Sequence, residues 1–425
     1  MRTIKIALLG LGTVGTGVYK ILNNIQTQLP LRAGANIEIS KILVRDINKE
    51  RFGIDQSLLT DNWQEILDDD SIEIVVEVMG GIEPAHKYIS EALKSGKNVV
   101  TANKDLLASN GNDLLNTADT NKKDLLFEAA VAGAIPIITP LKQSLAGNNV
   151  TEITGIVNGT TNFILTKMTN ENMSYEQALS IAKDLGYAEA DPTADIEGHD
   201  AGRKVAIMAS IGFNTSVNFN DVYTEGITKI TTNDIKFAGE LGYVIKLLGV
   251  ARNTSTGIEV MVHPMLIDNT HPLASVNDSF NAIYVYGDAI DEAMFMGRGA
   301  GELPTGSAVV GDIIDVARNI IYNCNGRIGC TCYKDTRIKA IDEVENKFFM
   351  RMEVDDKPGA LAEITAIFGN ALVGIDRLIQ TNKSANTAEL VIITDLVLEK
   401  NFNDSILKLK GLSLVKEVSS IIRVY

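Results

Sequence analysis

Ile4-Lys5-Ile6-Ala7-Leu8-Leu9-Gly10-Leu11-Gly12-Thr13-Val14-Gly15 decides the architecture of the first part of the chain. A run that is apolar except for Lys5 ends abruptly at a glycine. Val14, Val18, Ile21, Leu22 and Ile25 then recur at helical spacing. The order is strand, glycine turn, helix. In that setting the three glycines differ in purpose. Gly10 makes a tight turn, Gly12 lets backbone N–H groups approach a pyrophosphate, and Gly15 lets the helix pack on the strand. The first helical turn, with Thr13 and Val14, supplies the positive potential that an anion needs. The stretch predicts a dinucleotide-binding unit.

The pattern continues outward. A second strand, residues 37–44, ends in Arg45-Asp46, with Lys49 and Arg51 just beyond. An arginine at that strand end suits the 2′-phosphate of NADP, which is favoured, while Asp46 keeps NAD open. Two more buried strands are expected at 73–79, before Gly80-Gly81, and at 98–101, before Ala102-Asn103-Lys104, with a helix from Pro84 between them. Val/Ile runs alternating with helices predict a parallel sheet covered on both faces, with ligands beyond the carboxyl ends of its strands, where Lys104 falls. The small residues from Phe127 to Pro136 read as a strand turning into a helix started by Pro136. A strand at 153–157 leads into Asn158-Gly159-Thr160-Thr161-Asn162, whose polar turn either caps the next helix or offers N–H groups to a substrate carboxylate.

Composition bounds the function. The 425 residues, 45% hydrophobic and 22% charged with nine prolines, fold and leave room for several domains. Against 39 basic residues stand 54 acidic ones, and the resulting formal charge of −15 argues against a broad nucleic-acid or anionic-membrane surface. Cys324, Cys330 and Cys332 all lie in one short segment, so no disulfide framework joins domains, a reducing compartment fits, and no second Cys or His cluster supports a metal site. The apolar start is too short for a signal peptide and runs into glycines without a cleavage pattern, and no apolar run is long enough to span a membrane. A cytoplasmic protein is expected.

The densest chemistry lies near the middle of the chain. Ser174-Tyr175-Glu176-Gln177 matches a capping box, and the helix it opens ends at Gly186. The loop that follows carries Tyr187, Glu189, Asp191, Asp195, Glu197, His199 and Asp200 and leads into a helix through Arg203-Lys204. Asp200 and Lys204 stand four apart, the spacing of a surface ion pair worth about 0.2–0.5 kcal/mol. A lysine in a first helical turn opposes the macrodipole, however, and this turn enters a strongly apolar helix, so proton transfer to or from an alcohol oxygen is the more informative reading. The loop carboxylates suit an ammonium group.

The stretch from Ala182 to Lys204, with Gly186-Tyr187-Ala188-Glu189-Ala190-Asp191-Pro192-Thr193-Ala194-Asp195-Ile196-Glu197-Gly198-His199-Asp200 at its centre, closely resembles the signature of homoserine dehydrogenases. Thr101-Ala102-Asn103-Lys104, Asn158-Gly159-Thr160-Thr161-Asn162 and Gly297-Arg298-Gly299-Ala300-Gly301-Glu302-Leu303-Pro304-Thr305-Gly306 extend the likeness over most of residues 1–340. The resemblance implies NAD(P)-dependent interconversion of L-homoserine and L-aspartate 4-semialdehyde in threonine and methionine biosynthesis. It implies Lys104 and Lys204 as the acid/base pair, with Lys204 favoured to move the proton, and Glu189, Asp195, Asp200, Tyr187, Gly159 and Thr160 as substrate-positioning groups. It further implies cofactor contacts from Gly10, Gly12, Thr13, Val14, Gly15, Arg45, Lys104 and Gly301. A monovalent cation, Na⁺, is implied near Glu128, Val131, Gly133 and Ile135, held largely by backbone carbonyls, with Ala134 where a glycine is common.

The last eighty residues read as a module of their own: strand 348–354, a turn at Asp355-Asp356-Lys357-Pro358-Gly359, a helix with Leu361, Ile364, Ile367 and Phe368 on one face, strands 375–380 and 388–394, a helix at 403–410 and a strand at 415–424. That βαββαβ order is ferredoxin-like, and with Asp356-Lys357-Pro358-Gly359-Ala360-Leu361 it resembles an ACT domain, which implies a threonine effector acting between assembly states of a homodimer or homotetramer. A dimerising module without a ligand is the alternative. The expected class is α/β: a Rossmann-type NAD(P)-binding domain at 1–130, an α+β catalytic and dimerisation domain at 131–300, a return segment and linker at 301–345 completing the nucleotide-binding domain, and the ACT domain at 346–425. Two rivals remain: a thioester-forming semialdehyde dehydrogenase, which needs an activated cysteine facing the cofactor, and a non-catalytic NADPH and amino-acid sensor, which needs no lysine pair beside an acidic loop.

Overall fold

β1 (Thr3–Leu9), β2 (Asn36–Leu43), β3 (Leu59–Thr60), β4 (Ile72–Glu77), β5 (Asn98–Thr101) and β6 (Leu125–Leu126) form a parallel sheet in the order β3-β2-β1-β4-β5-β6. This is the strand order of doubly wound dinucleotide folds, and its direction reverses between β1 and β4, which opens a crevice at their carboxyl ends. The computed structural model describes residues 1–51, 53–382 and 386–425. Ile6, Ala7, Leu8 and Leu9 of β1 are fully buried, as are Ile74, Val75 and Val76 of β4, so successive side chains on opposite faces are all covered. That burial on both faces explains the unbroken apolar runs.

Compactness divides the described residues into two units: Met1–Ile153, Arg203–Asp221 and Asn281–Thr336 form one, and Thr154–Gly202, Val222–Phe280 and Arg337–Tyr425 form the other. In the first, the helix Glu302–Ile321 returns to the dinucleotide sheet and packs on the helix Thr13–Asn24. The close approach requires Gly17 and Gly306. A Cβ on Gly17 would stand 2.0 Å from the Glu302 carbonyl oxygen, and one on Gly306 2.9 Å from the Gly17 carbonyl carbon. Val309, Ile313 and Val316 of the returning helix join Ile6, Leu8, Val18 and Leu22 in one core. Each such buried side chain contributes roughly 1.5–3 kcal/mol.

The segment after β6 departs from the expected strand and Pro136 helix. It forms a short 3-10 turn, Glu128–Ala130, then loops into a π-helical turn, Pro140–Ser144. The buried Glu128 carboxylate is the reason: it accepts N–H bonds from Ile137 (2.5 Å), Ile138 (2.8 Å) and Thr139 (2.7 Å) and holds the backbone where a helix would otherwise begin.

In the second unit, strands Val415–Val424, Glu345–Asp355, Thr387–Thr394 and Ile375–Asn382 lie side by side in that order and antiparallel, with helices Ala360–Asn370 and Glu399–Lys410 packed together over them. This is the βαββαβ arrangement. Phe348 and Phe402 stack with ring centroids 3.7 Å apart in its core. The module is not separate in space: Val415–Val424 also pairs in parallel with Gly257–Asp268, aligning Met265 with Arg423. Arg423 is buried between Glu225 and Glu399, and Arg351 between Asp234 and Glu389. Both arginines tie the module to the rest of its unit. A buried guanidinium tolerates this only with its carboxylates in place.

Candidate active site

In the first unit, the turn after β1 meets the demands read from its glycines. Gly10 adopts φ +102°, and its N–H donates to the Leu43 carbonyl at 2.9 Å. A Cβ on Gly15 would stand 2.4 Å from the Gly10 carbonyl oxygen, so a side chain there breaks the turn. Gly12 differs. Nothing lies within 4 Å of the position of its Cβ, and no side chain caps the helix Thr13–Asn24 that follows. An open space beside uncapped first-turn N–H groups, at the switch point of a parallel sheet, fits a dinucleotide pyrophosphate. Gly301, at φ +136°, opens the returning helix, also without a side-chain cap. Arg45 is exposed just past β2, while the Asp46 carboxylate accepts the Asn48 N–H at 2.9 Å.

The carboxyl edge of the sheet holds a network that sequence reasoning missed. Glu77, at the end of β4, is fully buried and accepts hydrogen bonds from Thr101 Oγ1 (2.6 Å) and the N–H groups of Met79 (2.8 Å) and Gly80 (3.2 Å). Burial pushes its carboxyl above the usual range, and these hydrogen bonds oppose the shift. Asn103 donates to the Gly81 carbonyl at 2.6 Å and caps the helix Lys104–Asn121 by accepting the Leu106 N–H. Lys104 therefore occupies a fixed position, the first of its helix. The only sequence signal for Glu77 was an acid at the end of an apolar strand.

Lys204 lies in the helix His199–Phe213 and is 9% exposed. Its predecessor Arg203 pairs with Asp105, the residue after Lys104, at 3.1 Å. One ion pair thus joins the two helices at positions next to both lysines.

The loop expected to hold a cation carries two kinds of backbone carbonyl. Turn hydrogen bonds end on the carbonyls of Glu128 (3.4 Å) and Ala132 (3.0 Å), whereas those of Val131, Gly133 and Ile135 accept no backbone N–H among the described residues. The left-handed positions are Ala132 (φ +55°) and Gly133 (φ +56°), so alanine at 134 is compatible with the turn. Gly133 is required: its Cβ would stand 2.5 Å from the Gly299 carbonyl oxygen. The Glu128 carboxylate is committed to backbone N–H groups. Its neighbour Asp312, which accepts the Glu128 N–H at 2.9 Å, is pushed well above the usual carboxylate range by burial and then by the Glu128 charge.

In the second unit, the acidic loop gathers around Asn158. Asn158 Nδ2 donates to Asp195 Oδ1 (2.6 Å) and Asp200 Oδ2 (2.9 Å), while its Oδ1 accepts the Thr161 N–H (2.9 Å) and caps the helix Gly159–Glu171. The cap reading of this turn is realised by the amide oxygen, while the amide nitrogen joins two acids of the loop. Thr160 Oγ1 donates to the Tyr187 carbonyl at 2.7 Å. Gly159 sits where a Cβ would come 2.9 Å from the Ser279 carbonyl oxygen. Asp200 is buried, and Tyr187 and Glu189 are exposed. Asn158 was the residue whose role in joining the acids could not be read from its motif.

The turn after β1, at the switch point of a doubly wound parallel sheet, defines a class: a dinucleotide-binding protein. Comparison with known proteins narrows it. The homoserine dehydrogenase family matches residues 136–314, and its NAD-binding domain matches residues 10–128. The homoserine dehydrogenase of Bacillus subtilis (strain 168) is 43% identical over 427 residues, covering 100% of this chain and 99% of its own. The crystal structure of a homoserine dehydrogenase from Thiobacillus denitrificans superposes with a TM-score of 0.94 at 40% identity, covering 100% of this chain and 99% of that one. A hyperthermophilic archaeal homoserine dehydrogenase in complex with NADPH superposes with a TM-score of 0.63 at 28% identity, covering 74% of this chain and 98% of that one. The chain belongs to the homoserine dehydrogenase family: it is an oxidoreductase that uses a nicotinamide dinucleotide. No helix among the described residues is long and apolar enough to cross a membrane.

Proposed function

We propose that Lys204 exchanges the proton of the homoserine hydroxyl, with Lys104 beside it at the reacting oxygen. When bound, a nicotinamide dinucleotide would supply the hydride acceptor or donor for this reaction. In the oxidative direction the Lys204 amine takes the hydroxyl proton as the aldehyde forms, and in the reductive direction its ammonium gives that proton to the nascent alkoxide. Asp195, Asp200 and Glu189 hold the substrate ammonium, and Gly159, Thr160 and Tyr187 position the rest of the amino acid. The observation that carries this reading is the Arg203–Asp105 pair, at 3.1 Å, next to both lysines. Lys204→Met is expected to lower kcat by ~10² to 10⁴-fold, the contribution of a positioned acid/base, with dinucleotide affinity kept. A loss of only a few fold would remove Lys204 from this role.

The finer assignments follow the same chemistry. Gly10, Gly12, Thr13, Val14, Gly15 and Gly301 cradle the dinucleotide, and exposed Arg45 gives NADP the advantage over NAD, a preference supported by the NADPH-bound archaeal relative. The carbonyls of Glu128, Val131, Gly133 and Ile135 suit Na⁺. Residues 1–130 and 301–345 act as the nucleotide-binding domain, 131–300 as the catalytic and dimerisation domain, and 346–425 as an ACT domain that takes threonine in a cytoplasmic homodimer or homotetramer. Purified protein assayed with L-homoserine and either NADP⁺ or NAD⁺ tests the set. NADP⁺ is expected to give the higher kcat/KM, and threonine to inhibit at low homoserine.

A further inference from the structure

Cys330 and Cys332 stand outside the reaction, and Cys332 lines a distinct cavity of the first unit. It measures about 270 Å³ and is lined by Leu107, Phe127, Lys142, Ile207, Ile211 and Cys332, among others. Leu107 belongs to the Lys104 helix, Ile207 and Ile211 to the Lys204 helix. Lys142 lies 5.0 Å from the centroid of the Phe127 ring, and no carboxylate among the described residues forms an ion pair with it. The Cys332 N–H donates to Cys330 Sγ at 3.4 Å, and Cys332 Sγ lies 3.7 Å from the Ser210 carbonyl oxygen. The Cys330 N–H donates to Asp119 Oδ2 at 3.1 Å.

We infer that Cys330 and Cys332 form a dithiol exchange site for small disulfides, with Cys330 attacking and Cys332 resolving. Geometry makes the two sulfurs unequal. Hydrogen bonds from Cys332 hold the Cys330 thiol down to about 6, and the Lys142 charge acts in the same direction. The Cys332 thiol is pushed up, first by its hydrogen bond with Cys330 and then by burial. The thiolate is the nucleophile in exchange, so Cys330 begins the reaction. Its sulfur attacks one sulfur of a disulfide R–S–S–R, the S–S bond breaks, and RS⁻ leaves. The Cys332 thiol then loses its proton to the released thiolate, and its sulfur attacks Cys330 Sγ. A Cys330–Cys332 bond forms as the second RS⁻ leaves and takes a proton from water. Two protein thiols are oxidised by two electrons, and R–S–S–R is reduced to two thiols. Spanning only one intervening residue, the ring is strained and readily reduced again.

The site is wired to the catalytic helices. Cys332 reaches Ser210, six residues beyond Lys204, and Cys330 reaches Asp119 near the end of the Lys104 helix. Just beyond, the Lys334 N–H donates to the Asn214 carbonyl at 2.8 Å, and Thr215 Oγ1 donates to the Lys334 carbonyl at 3.0 Å. Closing the ring takes Cys332 away from Ser210 and disturbs the helix that carries Lys204.

The test exposes the reduced enzyme to oxidised glutathione, maps cysteines by mass spectrometry and follows homoserine oxidation. Wild type is expected to form the Cys330–Cys332 disulfide, to lose turnover by roughly 2- to 30-fold, the range of coupling through packed elements, and to recover it with dithiothreitol. Cys332→Ser is expected to stop at a glutathione adduct on Cys330. Cys330→Ser is expected to form neither product and to keep its turnover throughout. Cys324, whose thiol donates to Asn319 Oδ1 at 3.5 Å, is the internal control and stays reduced. Equal modification of all three cysteines, no intramolecular disulfide, or a disulfide that leaves turnover unchanged would each overturn the inference.

Discussion

The turns Gly10–Gly15 and Asn158–Asn162 both carry a strand into a helix, and they treat the first N–H groups of that helix in opposite ways. The first leaves them without a side-chain cap beside the open space at Gly12. The second caps one of them: Asn158 accepts the Thr161 N–H and holds two carboxylates, while buried Asn162 donates to the carbonyls of Val276, Asp278 and Phe280. Lys246 completes this closed set, donating to the Val276 carbonyl (2.6 Å), Asn162 Oδ1 and Asn277 Oδ1. One supersecondary unit thus leaves its first N–H groups bare when glycine turns the chain, and mounts carboxylates when asparagine does.

The largest effect that would break this contrast is expected from Asn158→Asp. The new carboxylate keeps the capping oxygen but loses the N–H groups that join Asp195 and Asp200. Three acids then meet, and the loss of a buried charge's partner costs about 3–5 kcal/mol. On that scale kcat/KM for homoserine falls by roughly 100-fold or more, whereas dinucleotide affinity stays near wild type. Equal loss of both would mean that the turn serves only the fold.

Lys246 offers a pH test of the closed turn. Burial holds its ammonium down to about 8 from an ordinary 10.5. Between those values the unfolded chain binds more protons than the native one, so stability rises with pH across that window and falls as pH is lowered toward about 8, below which this contribution is constant. The full swing is about 3 kcal/mol at most. Urea midpoints measured from pH 7 to 10.5 are expected to show this slope in wild type and its loss in Lys246→Met, and identical slopes would refute the assignment.

Gly12→Ala sharpens the other side. Its Cβ meets nothing in the free protein, so Tm should not move, but the methyl enters the space assigned to the pyrophosphate. Loss of one charge-assisted hydrogen bond is worth about 1.5–3 kcal/mol, which weakens NADP⁺ roughly 10- to 100-fold. Unchanged affinity, measured by titration calorimetry, would show that the open space is not the cradle.

The difference between the turns also explains what was legible in the sequence. Gly10, Gly12 and Gly15 were readable because backbone conformation and close approach leave no other residue for two of those positions. Asn158 was not, since one amide serves a cap and an acid pair equally well. Residues 127–136 misled because Pro136 before an apolar run signals a helix, whereas the Glu128 carboxylate, an interaction closed only by folding, captures the N–H groups. The βαββαβ order of the C-terminal residues was visible in local alternation. The junction of its last strand with Gly257–Asp268 was not, because pairing between distant strands leaves no local pattern.

The proposed proton transfer requires Lys204 to meet the substrate oxygen, and a crystal structure of the ternary complex with NADP⁺ and homoserine tests that most directly. Lys204 Nζ is expected within about 3.2 Å of the homoserine hydroxyl, with Lys104 beside the same oxygen. A hydroxyl held by other groups, with the Lys204 amine turned away, would contradict it.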